Sequence, residues 1–300
     1  MQAPDYIFQA TADGSISLLE PSLQELYHNR QGAYTEALMN YAAPTLALLA
    51  LPSAKVRSFS LLDSCFGLGY NSLTCFDSLL SLKKEGSAAY IKGFSIKALD
   101  IDYKLCRTSL PLVLKQPCFK QIAGLEWLTA ESFQPGIRFD QSDDALHFQS
   151  TFIECDLRQY LRNEQEDTFD VIYHDPFSPR KVTELWTLEV FAAYKQRLQP
   201  NGSILTYSAA SAIRGALRQL GFHVYRTAAV GGKSGGTLAC LQDLQDYLPK
   251  LADVIMPMSE EEERRLRTTS GLPYRDPDLS LNAEAIRIAR LKEQGQIKDG

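Results

Sequence analysis

Three hundred residues bound the chain to one large domain or two small ones. With 45% apolar and 22% charged residues, the bulk of the chain is neither disordered, collagenous nor coiled coil. Lys and Arg total 31 against 36 Asp and Glu, a net charge of −5, so a polyanionic partner needs a local basic face rather than a global pull.

Cysteines stand at Cys65, Cys75, Cys106, Cys118, Cys155 and Cys240, with no CxxC pair and no Cys/His spacing suited to zinc. Scattered in this way they read as buried apolar residues of a reducing compartment. The amino terminus has neither the basic nor the apolar region of a secretory signal. The longest apolar stretch, Tyr41 to Pro52, is too short to span a bilayer and contains Pro44. A cytoplasmic protein without a metal centre or a membrane partner is expected.

In chain order, residues 1–20 read as a hairpin around Asp13-Gly14. Residues 22–50 read as helical, with a break before Pro44, because the residue before proline disfavours helix. From residue 59, apolar runs alternate with amphipathic stretches. Strands are predicted at 59–66, 94–101, 151–156, 169–177 and 202–208, and helices at 71–84, 103–114, 157–163, 187–198 and 210–220. A final antiparallel pair is predicted at 223–228 and 236–241. This alternation predicts a doubly wound α/β domain over 59–241 with a mostly parallel sheet, preceded by a hairpin and helical segment over 1–58. Residues 242–300 are set apart as a helical tail whose charges, including EEEERRLR, read as a solvated face.

Four constellations carry chemistry. LLDSCFGLGYN (61–71) places Asp63 at a strand end, then Gly67 and Gly69, then a helix starting near Asn71, which lets backbone approach a ligand closely. Asp100 closes the second strand and can accept hydrogen bonds from two ribose hydroxyls, with Asp102 a rival and helix capping the alternative for either. Asp156, followed by Leu157, can accept from an adenine amino group while the next N–H serves a ring nitrogen; a helix cap explains it equally well. Asp175 stands in YHDPFSPRKVTELW, where Pro176, Phe177 and Pro179 stiffen the loop. An acid beside an aromatic ring can hold an amine and relay its proton.

The D-x-x-x-G-x-G form resembles the first motif of class I S-adenosylmethionine-dependent methyltransferases, and Asp-Pro-Phe resembles the loops of amino-methylating enzymes. Taken together, residues 11–38, 61–71, 174–191 and 202–224 are similar, in collinear order, to blocks of the methyltransferase domain of the MnmC family. That domain completes 5-methylaminomethyl-2-thiouridine at the tRNA wobble position. The resemblance runs from about Phe8 to Gly236.

The resemblance implies a Rossmann-like class I fold, S-adenosylmethionine as cofactor and tRNA as substrate. It implies a cofactor set of Glu36, Asp63, Gly67, Gly69, Asn71, Asp100, Asp156 and Leu157. Asp175 becomes the catalytic acid–base group, with Tyr27, Arg30, Phe177 and Trp186 on the substrate side and Phe177 or Trp186 as stacking partners of a flipped base. Two departures from the family stand out: Cys65 replaces a glycine, and the Lys-Arg-Glu segment is reduced to Gly232-Lys233-Ser234-Gly235. With no second dinucleotide fingerprint, a stand-alone methyltransferase is expected, fed with aminomethyl-uridine by a separate enzyme. The basic face would draw on Arg30, Arg180, Lys181, Arg214, Arg218, Arg226 and Lys233. The alternatives are a methyltransferase of the same fold acting on another amine or a protein, an aminopropyltransferase related to spermidine synthase, and a non-catalytic RNA-binding scaffold.

Overall fold

The computed structural model describes residues 6–52, 58–142, 146–163, 167–229 and 235–297. Lys233 and most of the reduced 232–235 segment lie outside them. The chain divides into two compact units, Met1–Cys155 and Asp156–Gly300.

The first unit opens with a three-stranded antiparallel sheet of β1 (Phe8–Ala10), β2 (Ile16–Glu20) and β3 (Glu25–Leu26). The Asp13-Gly14 hairpin is present, with Gly14 at φ +81°. The helix expected from residue 22 begins only at α1 (Ala33–Ala37), because Leu19 and Glu20 take Leu26 and Glu25 as strand partners. No break occurs at Pro44. A π-helical turn, Leu38–Ala42, runs into α2 (Ala43–Leu49), and Ala43 is helical at φ −62°. The wider turn lies directly before proline, where the missing N–H and the ring would otherwise disrupt a regular helix.

Next come β4 (Ser58–Asp63), α3 (Tyr70–Lys84), β5 (Gly93–Asp100), α4 (Tyr103–Val113), β6 (Arg138–Ser142) and β7 (His147–Glu154). In this unit the sheet order is β4-β5-β7-β6, with β4–β5 and β5–β7 parallel and β6 antiparallel at the edge. Parallel neighbours need crossover connections, which α3 and α4 provide. Strands covered on both faces are rich in apolar residues, and the buried positions of β4 and β5 are mainly Phe, Leu, Ile and Ala. Phe94 stacks on Phe59 at 5.4 Å and on Phe76 of α3 at 5.3 Å, and Phe76 meets Phe148 at 4.7 Å. Register sets Asp63 opposite Ala98 and Asp100 opposite Glu154, so the acids share the carboxyl edge of the sheet.

The second unit comprises α5 (Leu157–Arg162), β8 (Phe169–Tyr173), α6 (Leu188–Gln196), β9 (Leu198–Thr206), α7 (Ser211–Gln219), β10 (His223–Thr227), β11 (Thr237–Cys240), α8 (Leu248–Leu251), β12 (Ile255–Pro257), α9 (Glu260–Leu266) and α10 (Ala283–Glu293). Its strand order is β8-β9-β11-β10-β12, with β8–β9 parallel and the others antiparallel. The expected β10–β11 pair is present.

Residues beyond 241 are woven into this unit. β12 adds a strand to β10, and α7 approaches so closely that a Cβ on Gly215 would lie 2.0 Å from the Gly271 carbonyl oxygen. No helix among the described residues is long and apolar enough to cross a membrane.

Candidate active site

In the first unit, the turn from β4 to α3 is built around two left-handed glycines, Gly67 at φ +53° and Gly69 at φ +83°. A Cβ on Gly67 would lie 3.1 Å from the Tyr27 ring, and one on Gly69 would lie 2.6 Å from the Phe66 ring. The crowding that demands glycine therefore comes from the protein's own aromatic side chains, as well as from the backbone angles.

Asp63 is fully buried, and its Oδ2 accepts the Ser72 hydroxyl at 2.5 Å. Burial pushes its carboxyl up to about 7 against the Ser72 hydrogen bond, with the Asp100 charge adding to the rise. Oδ2 thereby ties the end of β4 to the first turn of α3, while Oδ1 is buried with no hydrogen-bond partner among the described residues. Asn71 is buried on that same turn.

The two acids after β5 divide their tasks. Asp102 caps α4 by accepting the Leu105 N–H at 2.9 Å, and its other oxygen accepts the Tyr6 hydroxyl at 2.9 Å. Asp100 turns to the glycine loop, accepting the Gly67 N–H at 2.7 Å and the Asp102 N–H at 3.0 Å. Burial raises the Asp100 carboxyl, while the Gly67 N–H opposes the rise. Tyr27, whose ring covers Gly67, has its hydroxyl pushed well above the usual range by burial and then by the Asp100 charge, so it stays protonated. Tyr6 gave no signal in the sequence beyond lying next to the hairpin.

Glu36 lies on α1, and its Oε2 accepts the Asn29 N–H at 2.9 Å and stands 4.0 Å from the buried His28 ring. Burial lowers the His28 pKa despite that carboxylate, which leaves the ring neutral. Arg30 is exposed, and its carbonyl accepts the Ala12 N–H at 3.0 Å.

In the second unit, Asp156 is exposed and caps α5, its Oδ1 accepting the N–H groups of Arg158 and Gln159 at 2.8 and 3.2 Å. Leu157 is buried beside it. Asp175 follows β8 and is half-buried. The loop after it is held from several sides. The Tyr207 hydroxyl donates to the Pro176 carbonyl at 3.2 Å, the Trp186 indole N–H to the Phe177 carbonyl at 2.8 Å, and the Thr183 hydroxyl to the Pro179 carbonyl at 2.7 Å.

Trp186 has no exposed surface, and its ring meets His174 edge-on at 4.5 Å and Tyr207 at 5.8 Å. Stacking of Trp186 on a base is therefore corrected: a ring enclosed on all sides serves as the anchor of the Phe177 backbone. Phe177 itself is half-buried. His174 is wholly buried, lies 3.0 Å from the Tyr194 hydroxyl, and is pulled down by burial to about 3, so it remains uncharged. His174, Tyr194 and Tyr207 escaped the sequence reading, although Tyr207 lies within the TYS block.

Three arginines of the expected basic face are ion-paired. Arg214 is buried and meets Glu262 at 2.6 Å, Arg218 meets Glu263 at 2.5 Å, and Arg226 meets Glu262 at 3.5 Å. The acidic helix α9 is thus a partner for arginines and not only a solvated face. Arg180 and Lys181 are exposed.

Comparison with known proteins places this geometry. Residues 120–242 match the model of an S-adenosyl-L-methionine-dependent methyltransferase family. An uncharacterized protein of Methanocaldococcus jannaschii is 26% identical over 298 residues, 98% of this chain and 74% of that protein. The tRNA 5-methylaminomethyl-2-thiouridine biosynthesis bifunctional protein MnmC of Cupriavidus necator is 26% identical over 73% of this chain, and the match spans 32% of that protein. The chain therefore covers about a third of the length of this bifunctional relative. The crystal structure of MNMC2 from Aquifex aeolicus superposes with a TM-score of 0.72 at 25% identity, covering 99% of this chain and 87% of that one. The chain has the class I fold, is a methyltransferase that takes S-adenosylmethionine as its cofactor, and is similar in sequence and structure to MnmC proteins.

Proposed function

We propose that the chain methylates the exocyclic primary amine of 5-aminomethyl-2-thiouridine at the wobble position of tRNA. The observation that carries this reading is Asp175, set at the end of β8 on a loop pinned by Trp186 and Tyr207, in a chain similar to MnmC.

The residues present fit the cofactor. Gly67 and Gly69 keep the loop free of side chains of their own, and Asp100 brings a carboxylate suited to ribose hydroxyls to the same loop. Asp100 would hold the ribose. Asp156 with the Leu157 N–H would hold the adenine, and Asn71 and Glu36 would shape the surroundings of the loop. S-adenosylmethionine supplies an electrophilic methyl group on its sulfonium.

Methyl transfer requires a neutral amine, so the protein's task is positioning and proton removal. Asp175 orients the amine and accepts its proton. Phe177 lies against the base, and Tyr27 and Arg30 take the substrate side in the first unit. The amine would be supplied by a separate enzyme.

The ion-paired state of Arg214, Arg218 and Arg226 favours a second reading, a methyltransferase of the same fold acting on a smaller amine. Methyl transfer from labelled cofactor to undermodified tRNA, set beside polyamines and protein, separates the two. Label in the tRNA supports the wobble assignment, and label only in polyamine or protein removes it.

A further inference from the structure

The cationic side chains of the second unit differ in whether a carboxylate meets them. Arg158, Arg214, Arg218, Arg226 and Arg275 are each paired with a carboxylate, at distances from 2.5 to 3.5 Å. Among the described residues, no carboxylate lies within ion-pair reach of Arg180, Lys181 or Arg287. Glu184 and Glu284, the nearest acids along the chain, pair with none of them.

Arg287 reaches the backbone of the segment that carries the other two. Arg287 on α10 donates from Nη1 to the Arg180 carbonyl at 2.9 Å, which docks α10 on the loop that starts at Asp175. α10 is itself fixed by the fully buried Ile286 and by Arg290, which donates to the Leu272 and Ser270 carbonyls and lies 4.8 Å over the Tyr274 ring. Arg180 and Lys181 are exposed and, among the described residues, their side chains make no hydrogen bond.

Exposed cations with no carboxylate partner are open to a counter-charge from outside, and a row of phosphates is such a charge. An RNA strand carries phosphates on both sides of the base being modified, so cations on the loop that follows Asp175 and on the helix docked to it suit a strand whose base enters there. We propose that Arg180, Lys181 and Arg287 form the surface on which the phosphate backbone of the RNA substrate docks, a reading that rests on the methyltransferase assignment above. Residues 242–300, outside the expected catalytic domain, thereby contribute a substrate contact through α10.

The test uses the full chain, undermodified tRNA, and salt as the variable. The variants are Arg180→Ala/Lys181→Ala/Arg287→Ala and, should loss of the Arg287 bond disturb folding, the surface pair Arg180→Glu/Lys181→Glu. Arg218→Ala, whose partner is Glu263, is the control. Each phosphate contact contributes roughly 0.7–0.9 to the slope of log affinity against log salt. The triple variant is expected to lose about two to three units of slope and about 10–100-fold in tRNA affinity, with cofactor binding unchanged and Arg218→Ala like wild type.

If wild type methylates tRNA but both variants keep its affinity and slope, the surface is wrong and the function stands. If wild type neither binds nor methylates tRNA, the surface and the function fail together. Equal competition by poly-glutamate of matched charge would replace RNA by an acidic protein as the occupant and overturn the proposal.

Discussion

The Asp13 carboxylate accepts both the backbone N–H and the hydroxyl of Thr35 at 2.8 Å, and so caps α1 from the far side of the hairpin. Its other oxygen takes the Ser15 N–H and hydroxyl, and the Ser15 hydroxyl in turn accepts the Ala33 N–H at 2.9 Å. The TADGS segment is therefore a turn and a helix cap at once. Burial pulls the Asp13 carboxyl upward, but the donors from Ser15 and Thr35 outweigh it and hold it at about 2. A carboxyl depressed in the folded state stabilises the fold above about pH 4, and that contribution is lost as pH falls towards 2. Asp13→Asn is expected to cost about 1 kcal/mol at pH 7, the usual worth of an N-cap, and to cost less at pH 2.5. Urea unfolding of both proteins at the two pH values measures this, and a pH-independent difference would refute it.

Asp100→Ala is expected to weaken S-adenosylmethionine binding, because it removes the acid beside the loop and leaves the Gly67 N–H without its acceptor. Gly69→Val is expected to abolish binding and also to lower the melting temperature, since the new side chain meets Phe66 at a left-handed backbone position. Calorimetry with the cofactor, paired with thermal unfolding, reads both. Normal cofactor affinity in Asp100→Ala would move the ribose contact to another residue.

Asp175→Asn is expected to keep the fold and most cofactor affinity while turnover falls roughly 10²–10⁴-fold, the range for a positioned acid–base group. Raising the pH should restore part of the loss, because more of the amine is then neutral. Single-turnover methylation across a pH series is the measurement. Near-wild-type rates would take Asp175 out of the mechanism, and equal loss of binding and turnover would move it to the cofactor site.

Trp186→Phe keeps the ring among His174 and Tyr207 but deletes the indole N–H to the Phe177 carbonyl. About 1 kcal/mol of stability is expected to go with that hydrogen bond. Because Phe177 follows Asp175 by two residues, kcat should drop more than tenfold with little change in cofactor affinity. A variant that alters only stability would confine Trp186 to the core.

Glu262→Ala would leave the buried Arg214 guanidinium without its carboxylate. Removing one partner of a buried pair costs roughly 3–5 kcal/mol, and the lower end is expected because Glu262 is 20% exposed. Arg214→Met/Glu262→Leu should recover much of that loss. Chemical denaturation of the single and double variants decides it, and a single variant as stable as wild type would mean that Arg214 finds another acceptor.

Much of the α/β alternation was legible because parallel strands covered on both faces are rich in apolar residues, as at Phe59, Leu61 and Leu62 or Val171 to Tyr173. β6 escaped notice because Arg138–Ser142 is an edge strand with Phe139 as its one apolar residue and no residue fully buried to mark a period. Helix α1 was misplaced because its cap lies on a different turn, a relation invisible to any local window. At the candidate site, the glycine loop and the strand-end acids announced themselves by type and position. Asp63 and Trp186 did not reveal their burial, since an acid at a strand end and an aromatic in a loop look the same in sequence whether they face outward or inward. Arg287 had no sequence signal, because its meaning depends on a carbonyl 107 residues away.

β12 carries a consequence for synthesis of the protein. β10 has β11 on one side, and its other edge is met by Ile255–Pro257, the last of the described strands to be synthesised. Until that segment emerges, Tyr225 to Thr227 present open backbone donors and acceptors, the kind of edge that recruits strands from other chains. A nascent chain stalled or truncated before Ile255 is thus a seed for aggregation rather than a shorter enzyme, and its yield should depend on how quickly translation passes that point.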